Sequence, residues 1–218
     1  EAEYTHPLVS GVCESCGLIQ IDDPVPAREL KPRFDWVSYA EPEAHLDRLA
    51  DTIRDLPGIT PASTICGISF IDDSVLRRMS ERGFENTWRV DAKSDLGIDD
   101  PRAGIETIQE RLAPEAMMTL AQDRGRPDVL IARHILEHAH DVPRFMAALK
   151  ELVSPDGYIV FEVPDCTSAL EHDNFLVIVW EEHLSYFTPH TFRQIFAIGG
   201  LSLVRLDSFS YPLENALV

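Results

Sequence analysis

No run of apolar residues approaches the roughly 20 needed to span a bilayer, so nothing in the sequence reads as a membrane helix. Basic residues are scarce: 19 Lys and Arg stand against 37 Asp and Glu, a net charge of −18. A surface of that sign repels nucleic acid and anionic lipid, which sets both aside as partners. Cysteines number only four and are unevenly placed, against a disulfide scaffold and for a reducing, cytoplasmic setting. Internal repeats and low-complexity tracts are missing as well. The opening Glu-Ala-Glu-Tyr does not read as a signal peptide and carries no initiator Met, as expected of a piece of a longer chain. What is present is ordinary for a globular protein: 218 residues, 44% of them hydrophobic, suit one α/β domain with a small appendage.

The stretch Pro127–Asp165 organises the rest. Val129–Ala132 and Tyr158–Val163 have the length and β-branched content of buried strands. Between them Val142, Phe145, Met146, Leu149, Leu152 and Val153 recur at helical spacing, and Ser154-Pro-Asp-Gly157 has turn chemistry. A strand–helix–strand unit of this kind implies a right-handed parallel crossover in a sheet buried on both faces. Ionisable residues follow each strand at once: Arg133, His134, Glu137 and His138 after the first, Asp165 and Cys166 after the second. Ligands of open α/β sheets bind beyond the carboxyl ends of strands, so the active site is expected there.

Upstream, residues 1–48 read as an irregular arm and 49–218 as the main domain. The arm holds Cys13-Glu-Ser-Cys16-Gly17, one half of a zinc knuckle, then Leu18–Ile21 as a short strand. Tetrahedral zinc needs four ligands and no second pair lies nearby, so the rest would have to come from upstream; a pair of free thiols is the plainer alternative. Trp36 and Tyr39 read either as packing of the arm or as a lid over the pocket. A helix is expected over roughly Pro42–Leu56, a first core strand over Ser63–Phe70, a helix over Val75–Arg82 and a second strand over Trp88–Asp91. Helices over Gly104–Leu112 and Pro114–Gln122 follow. Beyond the central unit, Thr188-Pro189 starts a helix to Ile198, Leu201–Phe209 reads as a strand, and Tyr211–Val218 opens another.

Strand, acidic-capped helix, then a strand ending in Asp91 is the order of a nucleotide-binding half-sheet. It places Asp91 where ribose hydroxyls are usually taken; a plain loop carboxylate is the alternative. His134-Ile-Leu-Glu137-His138 matches the H-x-x-E-H zinc-protease pattern, but the segment follows a strand directly and Pro143 interrupts any long helix, against that reading. As a cluster beyond a strand, Glu137 and His138 suit acid–base work, or else a satisfied structural histidine. Trp180-Glu-Glu-His183-Leu-Ser-Tyr186 is a second cluster, with Glu182 beside His183 able to raise its basicity and fix its tautomer.

Glu182-His-Leu-Ser-Tyr-Phe-Thr-Pro, the Asp128–Asp165 unit and the Cys-x-x-Cys-Gly-Leu-Ile-Gln arm together resemble the class I S-adenosylmethionine-dependent methyltransferases of the sugar C-methyltransferase type. The resemblance covers most of Pro7–Val218. It implies a Rossmann-like, doubly wound sheet, S-adenosylmethionine as cofactor, structural zinc in an amino-terminal domain and a small, nucleotide-linked keto sugar as substrate. The chain ends near the last expected strand, so the family's carboxy-terminal domain is expected to be either absent or not covered. The resemblance makes His183 the general base with Glu182 as its partner, and His138 a second site histidine. Gly67, Ser69, Asp72, Asp91, Arg133 and His134 are then expected at the cofactor, and Trp36, Tyr39, Trp180 and Tyr186 around the sugar. The family's first loop is roughly E-x-G-x-N-D-G, whereas this chain has Gly67-Ile-Ser69-Phe-Ile-Asp72-Asp73, with Ser69 and Asp73 at the glycine positions. Trp36 and Trp180 stand at tyrosine positions and Glu181 at a histidine position. These departures motivate the rival expectation, a non-catalytic methyltransferase-like module that binds a ligand or partner.

Overall fold

The computed structural model describes residues 5–30, 41–100, 102–172, 178–212 and 215–218. In chain order the elements are β1 (Val9–Val12), β2 (Ile19–Asp22), α1 (Ala27–Leu30), α2 (Leu46–Arg54), β3 (Ile65–Gly67), α3 (Asp73–Glu81), β4 (Thr87–Arg89), α4 (Ile105–Arg111) and α5 (Pro114–Arg124). Then come β5 (Val129–Arg133), α6 (Val142–Leu152), β6 (Tyr158–Asp165), α7 (Thr167–Glu171), β7 (Ser185–Tyr186), α8 (Pro189–Ile198), β8 (Ser208–Phe209) and β9 (Asn215–Leu217). Short 3₁₀ turns cover Phe70–Asp72 and Leu136–His138.

The main sheet has the order β4-β3-β5-β6-β9-β8. Its first four strands are parallel, and β9 and β8 close it antiparallel. Alternation along the strands divides the core. Ile65, Val129 and Ile131 face Leu46, Leu49 and Ile53 of α2 and Val75 and Met79 of α3. Cys66, Leu130 and Ala132 face the opposite side, with Leu120 of α5, Met146 and Leu149 of α6 and Phe192 of α8. Helices therefore cover both faces, the doubly wound α/β arrangement that the buried strand runs imply. No helix among the described residues is long and apolar enough to cross a membrane.

The arm forms a second, three-stranded antiparallel sheet, β1-β2-β7, in which Ile19 pairs with Tyr186. On its other side the β7 segment reaches the main sheet through a bridge between Asp165 and Phe187. The arm thus braces the segment that carries His183.

Three strands are shorter than the sequence suggests, the second of the main sheet spanning Thr87–Arg89 rather than Trp88–Asp91. The first was expected over Ser63–Phe70 but stops at Gly67, because the Asp72 carboxylate draws the amides of Ile68 and Ser69 into a turn at 2.8 and 2.9 Å. Within Leu201–Phe209 only Ser208–Phe209 is strand. Pairing runs out at Asp207 and Val218, and Leu203 and Val204 are exposed with no neighbouring strand. The helix expected from Pro42 begins at Leu46.

Candidate functional site

The strand order reverses between β3 and β5, since β4 lies on one side of β3 and β5 on the other. In such sheets the crevice at this switch point is where ligands bind. Here the two sides of the crevice are tied together by Asp72. Its carboxylate is fully buried and accepts from the main-chain N–H of Ile68, Ser69 and, across the crevice, Arg133 at 3.1 Å. Gly67 permits this: a Cβ there would stand 2.7 Å from the Asp72 Cβ. Burial pushes the Asp72 carboxyl up to about 7, against the pull of those amides and the Arg133 charge. Arg133 reaches back through Nη1 to the Ile71 carbonyl at 2.8 Å. Ser69 at the tip accepts from the Ile71 amide. Gly67, Asp72 and Arg133 thus shape the first loop from inside.

Asp91 stands just past β4 on the same edge, partly exposed, and its carboxylate accepts from the amides of Lys93 and Ser94 at 3.1 and 2.7 Å. These bonds hold it below the ordinary carboxylate range. A carboxylate fixed in this way keeps its acceptor capacity toward the crevice.

His134, the first residue after β5, adopts a left-handed backbone with φ of 45°. That conformation costs a non-glycine residue about 1 kcal/mol and is usual only where surrounding contacts enforce it. The enforcing contacts are two carboxylates: Nε2 lies 3.2 Å from Glu162 Oε1, and Nδ1 3.4 Å from Glu137 Oε1. Burial alone would lower the imidazole, but the two carboxylates outweigh it and raise His134 to about 10. Glu162 is saturated further. Arg133 Nε meets its second oxygen and His45 Nε2 lies 3.0 Å from the first, while Tyr211 braces His45. His45 and Glu162 come from distant parts of the chain, and no local pattern pointed to either. Glu41, 3.8 Å from His134, is a third carboxylate that the sequence did not single out.

The two clusters after β5 and before α8 come together. The Leu184 amide donates to the Glu137 carbonyl at 2.7 Å, and His138 Nδ1 donates to the Glu182 carbonyl at 2.9 Å. These bonds set His138 and His183 edge to face, ring centroids 4.8 Å apart. Burial lowers both, His138 to about 4, so both are neutral at physiological pH. The carboxylate acting on both rings is Glu137. It is 1% exposed, and apart from the His134 ring 3.4 Å from Oε1 no donor meets its oxygens among the described residues. Burial favours its neutral form, but the contact and charge of His134 win and hold it ionised below the ordinary range. Glu182 lends its carbonyl to His138. Its own carboxyl is raised to about 7, first by burial and then by Glu181 and Glu106.

Tyr186 bonds through its hydroxyl to the Trp180 main chain at 3.2 and 3.3 Å, and burial raises it to about 12. Trp180 itself is half exposed at 52%. Trp36 and Tyr39 lie outside the described residues. Cys13 and Cys16 flank the β1–β2 turn, which closes through the Gly17 amide on the Cys13 carbonyl at 2.8 Å, with Gly17 at φ 74°. Main-chain donors of Cys16 and Ser15 lower the Cys13 thiol. Among the described residues the only group of three or more metal-ligating side chains is Glu137, His138 and His183, so nothing there completes a zinc site for the two thiols.

A strand-order reversal with an acid after the second strand is the plan of an α/β domain that binds a nucleotide-containing ligand. Residues 72–206 match the family described as a methyltransferase domain, and the chain belongs to that family. In sequence the chain is similar to C-methyltransferase NovU of Streptomyces niveus, 24% identical over 204 residues. That alignment takes in 93% of this chain and 48% of NovU, so the chain spans about half the length of this curated relative. Among solved structures, magnesium protoporphyrin IX methyltransferase from Synechocystis PCC 6803, with SAH bound, is similar at 14% identity and a TM-score of 0.48, over 84% of this chain and 88% of its own. CalO1, a methyltransferase in calicheamicin biosynthesis, is similar at 15% identity and a TM-score of 0.47, over 80% of this chain and 52% of its own.

Proposed function

We propose that this domain transfers a methyl group from S-adenosylmethionine to a carbon of a small keto substrate, a nucleotide-linked sugar by its resemblance. The observation that carries the reading is the cluster of Glu137, His138 and His183, with the two rings edge to face, on the same sheet edge as Asp91 and the first loop. The loop tip at Ser69 and the Asp91 carboxylate suit the amino-acid and ribose parts of the cofactor. S-adenosylmethionine, when bound, supplies an electrophilic methyl group. His183 is neutral, and its ring makes no hydrogen bond among the described residues, so its lone pair is available to take a proton from carbon next to a carbonyl. Glu137 stabilises the imidazolium that results. The Glu182 carbonyl holds His138 in the tautomer whose Nε2 accepts, so His138 orients a substrate hydroxyl beside the base. The bound cofactor would supply the methyl group to that carbon, its methyl–sulfur bond giving way to the new carbon–carbon bond as S-adenosylhomocysteine leaves, and positioning is the protein's contribution.

NovU is named a C-methyltransferase, which agrees with a carbon acceptor. In this reading residues 1–48 are an arm that braces the His183 segment, Trp36, Tyr39, Trp180 and Tyr186 surround the sugar, and the setting is cytoplasmic. Zinc at Cys13 and Cys16 would require two ligands from outside the described residues.

One observation favours a second reading, a non-catalytic module: Asp72 already occupies the loop amides that a cofactor would otherwise meet. Titration calorimetry with S-adenosylmethionine separates the two. The catalytic reading expects saturable binding, weakened by about one to a few kcal/mol in Asp91→Ala, as loss of a charged hydrogen-bond partner does. Binding too weak to measure, in a chain extended to the full length of its relative, would favour the module.

A further inference from the structure

We propose that Glu137, His138 and His183 form a binding site for a divalent transition cation of the zinc type, distinct from the Cys13–Cys16 turn. Glu137 is buried with the His134 ring against one oxygen, Nδ1 3.4 Å from Oε1, while Oε2 meets no donor among the described residues and is left open to a cation. The Glu182 carbonyl can only accept, so Nδ1 of His138 carries the proton and Nε2 presents a lone pair. An imidazole held by a main-chain carbonyl on one nitrogen and free on the other is the usual posture of a metal-binding histidine. The ring of His183 stands nearly perpendicular to it, at 87°.

One ligand atom from each of the three residues lies within 4.8 Å of the others. Zinc bonds of about 2.0–2.2 Å place tetrahedral ligands roughly 3.5 Å apart, so the cluster must contract by about an ångström. His183 is free to supply that movement by rotating, since its ring is tethered by no hydrogen bond among the described residues. Glu137 and His183, though not His138, line a small adjoining cavity of about 10 Å³ together with Cys166, Ser185 and Tyr186. That is room for one ion or one water, in line with the roughly 10–15 Å³ a single water needs. Ser185, which lines the same cavity, has a hydroxyl with no hydrogen-bond partner among the described residues. Two histidines and a carboxylate are a donor set that zinc, cobalt and iron accept and that magnesium and calcium, which prefer oxygen, do not.

This site goes beyond the methyl-transfer reading and opposes it in one respect. A cation bound to His183 takes the lone pair that would accept the substrate proton, so the metal acts as an inhibitor of transfer.

The test is a cobalt titration of chelator-treated protein carrying Cys13→Ser and Cys16→Ser, which removes the thiols of the arm. The expected result is one equivalent bound with the intense visible bands of tetrahedral Co²⁺, displaced by Zn²⁺ and not by Mg²⁺. Zinc should raise the melting temperature of the same protein. Glu137→Gln keeps the shape and removes the charge, and it should weaken binding by at least about 10–100-fold, the range already seen when only the outer partners of ligands are lost. If Glu137→Gln fails to fold, His183→Ala must show the same loss. Octahedral spectra, equal affinity in the variants, or a cavity that holds water alone at saturating zinc would overturn the site. Cofactor calorimetry on the same samples reports separately on the methyl-transfer reading.

Discussion

Glu162 and Glu137 are two buried carboxylates on one edge of one sheet, bridged by the same imidazolium of His134. Their surroundings differ. Glu162 is held by Arg133, His134 and His45, and its pKa is pushed far below the usual carboxylate range. Glu137 has His134 at 3.4 Å on one side and two neutral histidines on the other. A saturated charge network fixes structure, whereas one left open is poised for a ligand or a proton. The difference makes Glu162 part of the frame of the site and leaves Glu137 as the carboxylate to which the proposed chemistry is given.

Four experiments bear on that division. The largest effect is expected on turnover. His183→Ala or His138→Ala should cut methyl transfer by about 10²–10⁴-fold, the range for loss of a general acid or base, with little change in melting temperature. Activity that falls only in proportion to unfolded protein would return both histidines to the structural side. Next comes stability at the frame. Glu162→Ala should cost about 3–5 kcal/mol, because Arg133 and His134 are left buried without their counter-charge. A urea midpoint within experimental error of the wild type would erase the contrast between the two carboxylates.

The third effect is steric. Gly67→Ala should cost about 1–3 kcal/mol, since the new methyl meets the Asp72 Cβ at 2.7 Å and the Leu76 Cδ1 at 3.1 Å. It should also weaken cofactor binding by displacing the first loop, and calorimetry beside a thermal melt reads both. The smallest effect is one of pH. Asp72 titrates at about 7 when folded and near 4 when unfolded, so between those values the folded chain keeps a proton that the unfolded chain has lost. Its stabilising contribution is full below about pH 4 and declines as pH rises through about 7. Denaturant midpoints for Asp72→Asn should accordingly show a weaker fall between pH 5 and 8 than the wild type. Parallel slopes would mean that the three amides hold Asp72 ionised throughout.

Much of the frame was legible because it is local. Strand runs such as Val129–Arg133 bury both faces and must be apolar, and the amphipathic spacing of Val142–Leu152 marks α6 almost to the residue. Thr188-Pro189 announces α8, and the Thr188 hydroxyl does cap the Thr191 amide at 3.3 Å. Leu201–Asp207 misled because apolar residues suit a strand only where a neighbour offers hydrogen bonds. Within the site, His138 and His183 stood out as ionisable groups beside strand and helix ends. His45, Glu41 and Glu162 gave no such signal: the first two sit near the start of a helix, and Glu162 lies inside an otherwise apolar strand.

The sequence by itself determined the α/β order and the sheet edge at which the site is expected. These follow from periodicity and turn chemistry, which act over a few residues. Only the tertiary structure decided which carboxylate serves which histidine. Glu182 adjoins His183 in the chain, yet the Leu184 amide bonding to the Glu137 carbonyl and the His138 ring bonding to the Glu182 carbonyl turn the segment so that Glu137 supplies charge at both rings. Electrostatics depends on distance through space, and that distance is set by how β2, β7 and β6 are paired, not by position along the chain.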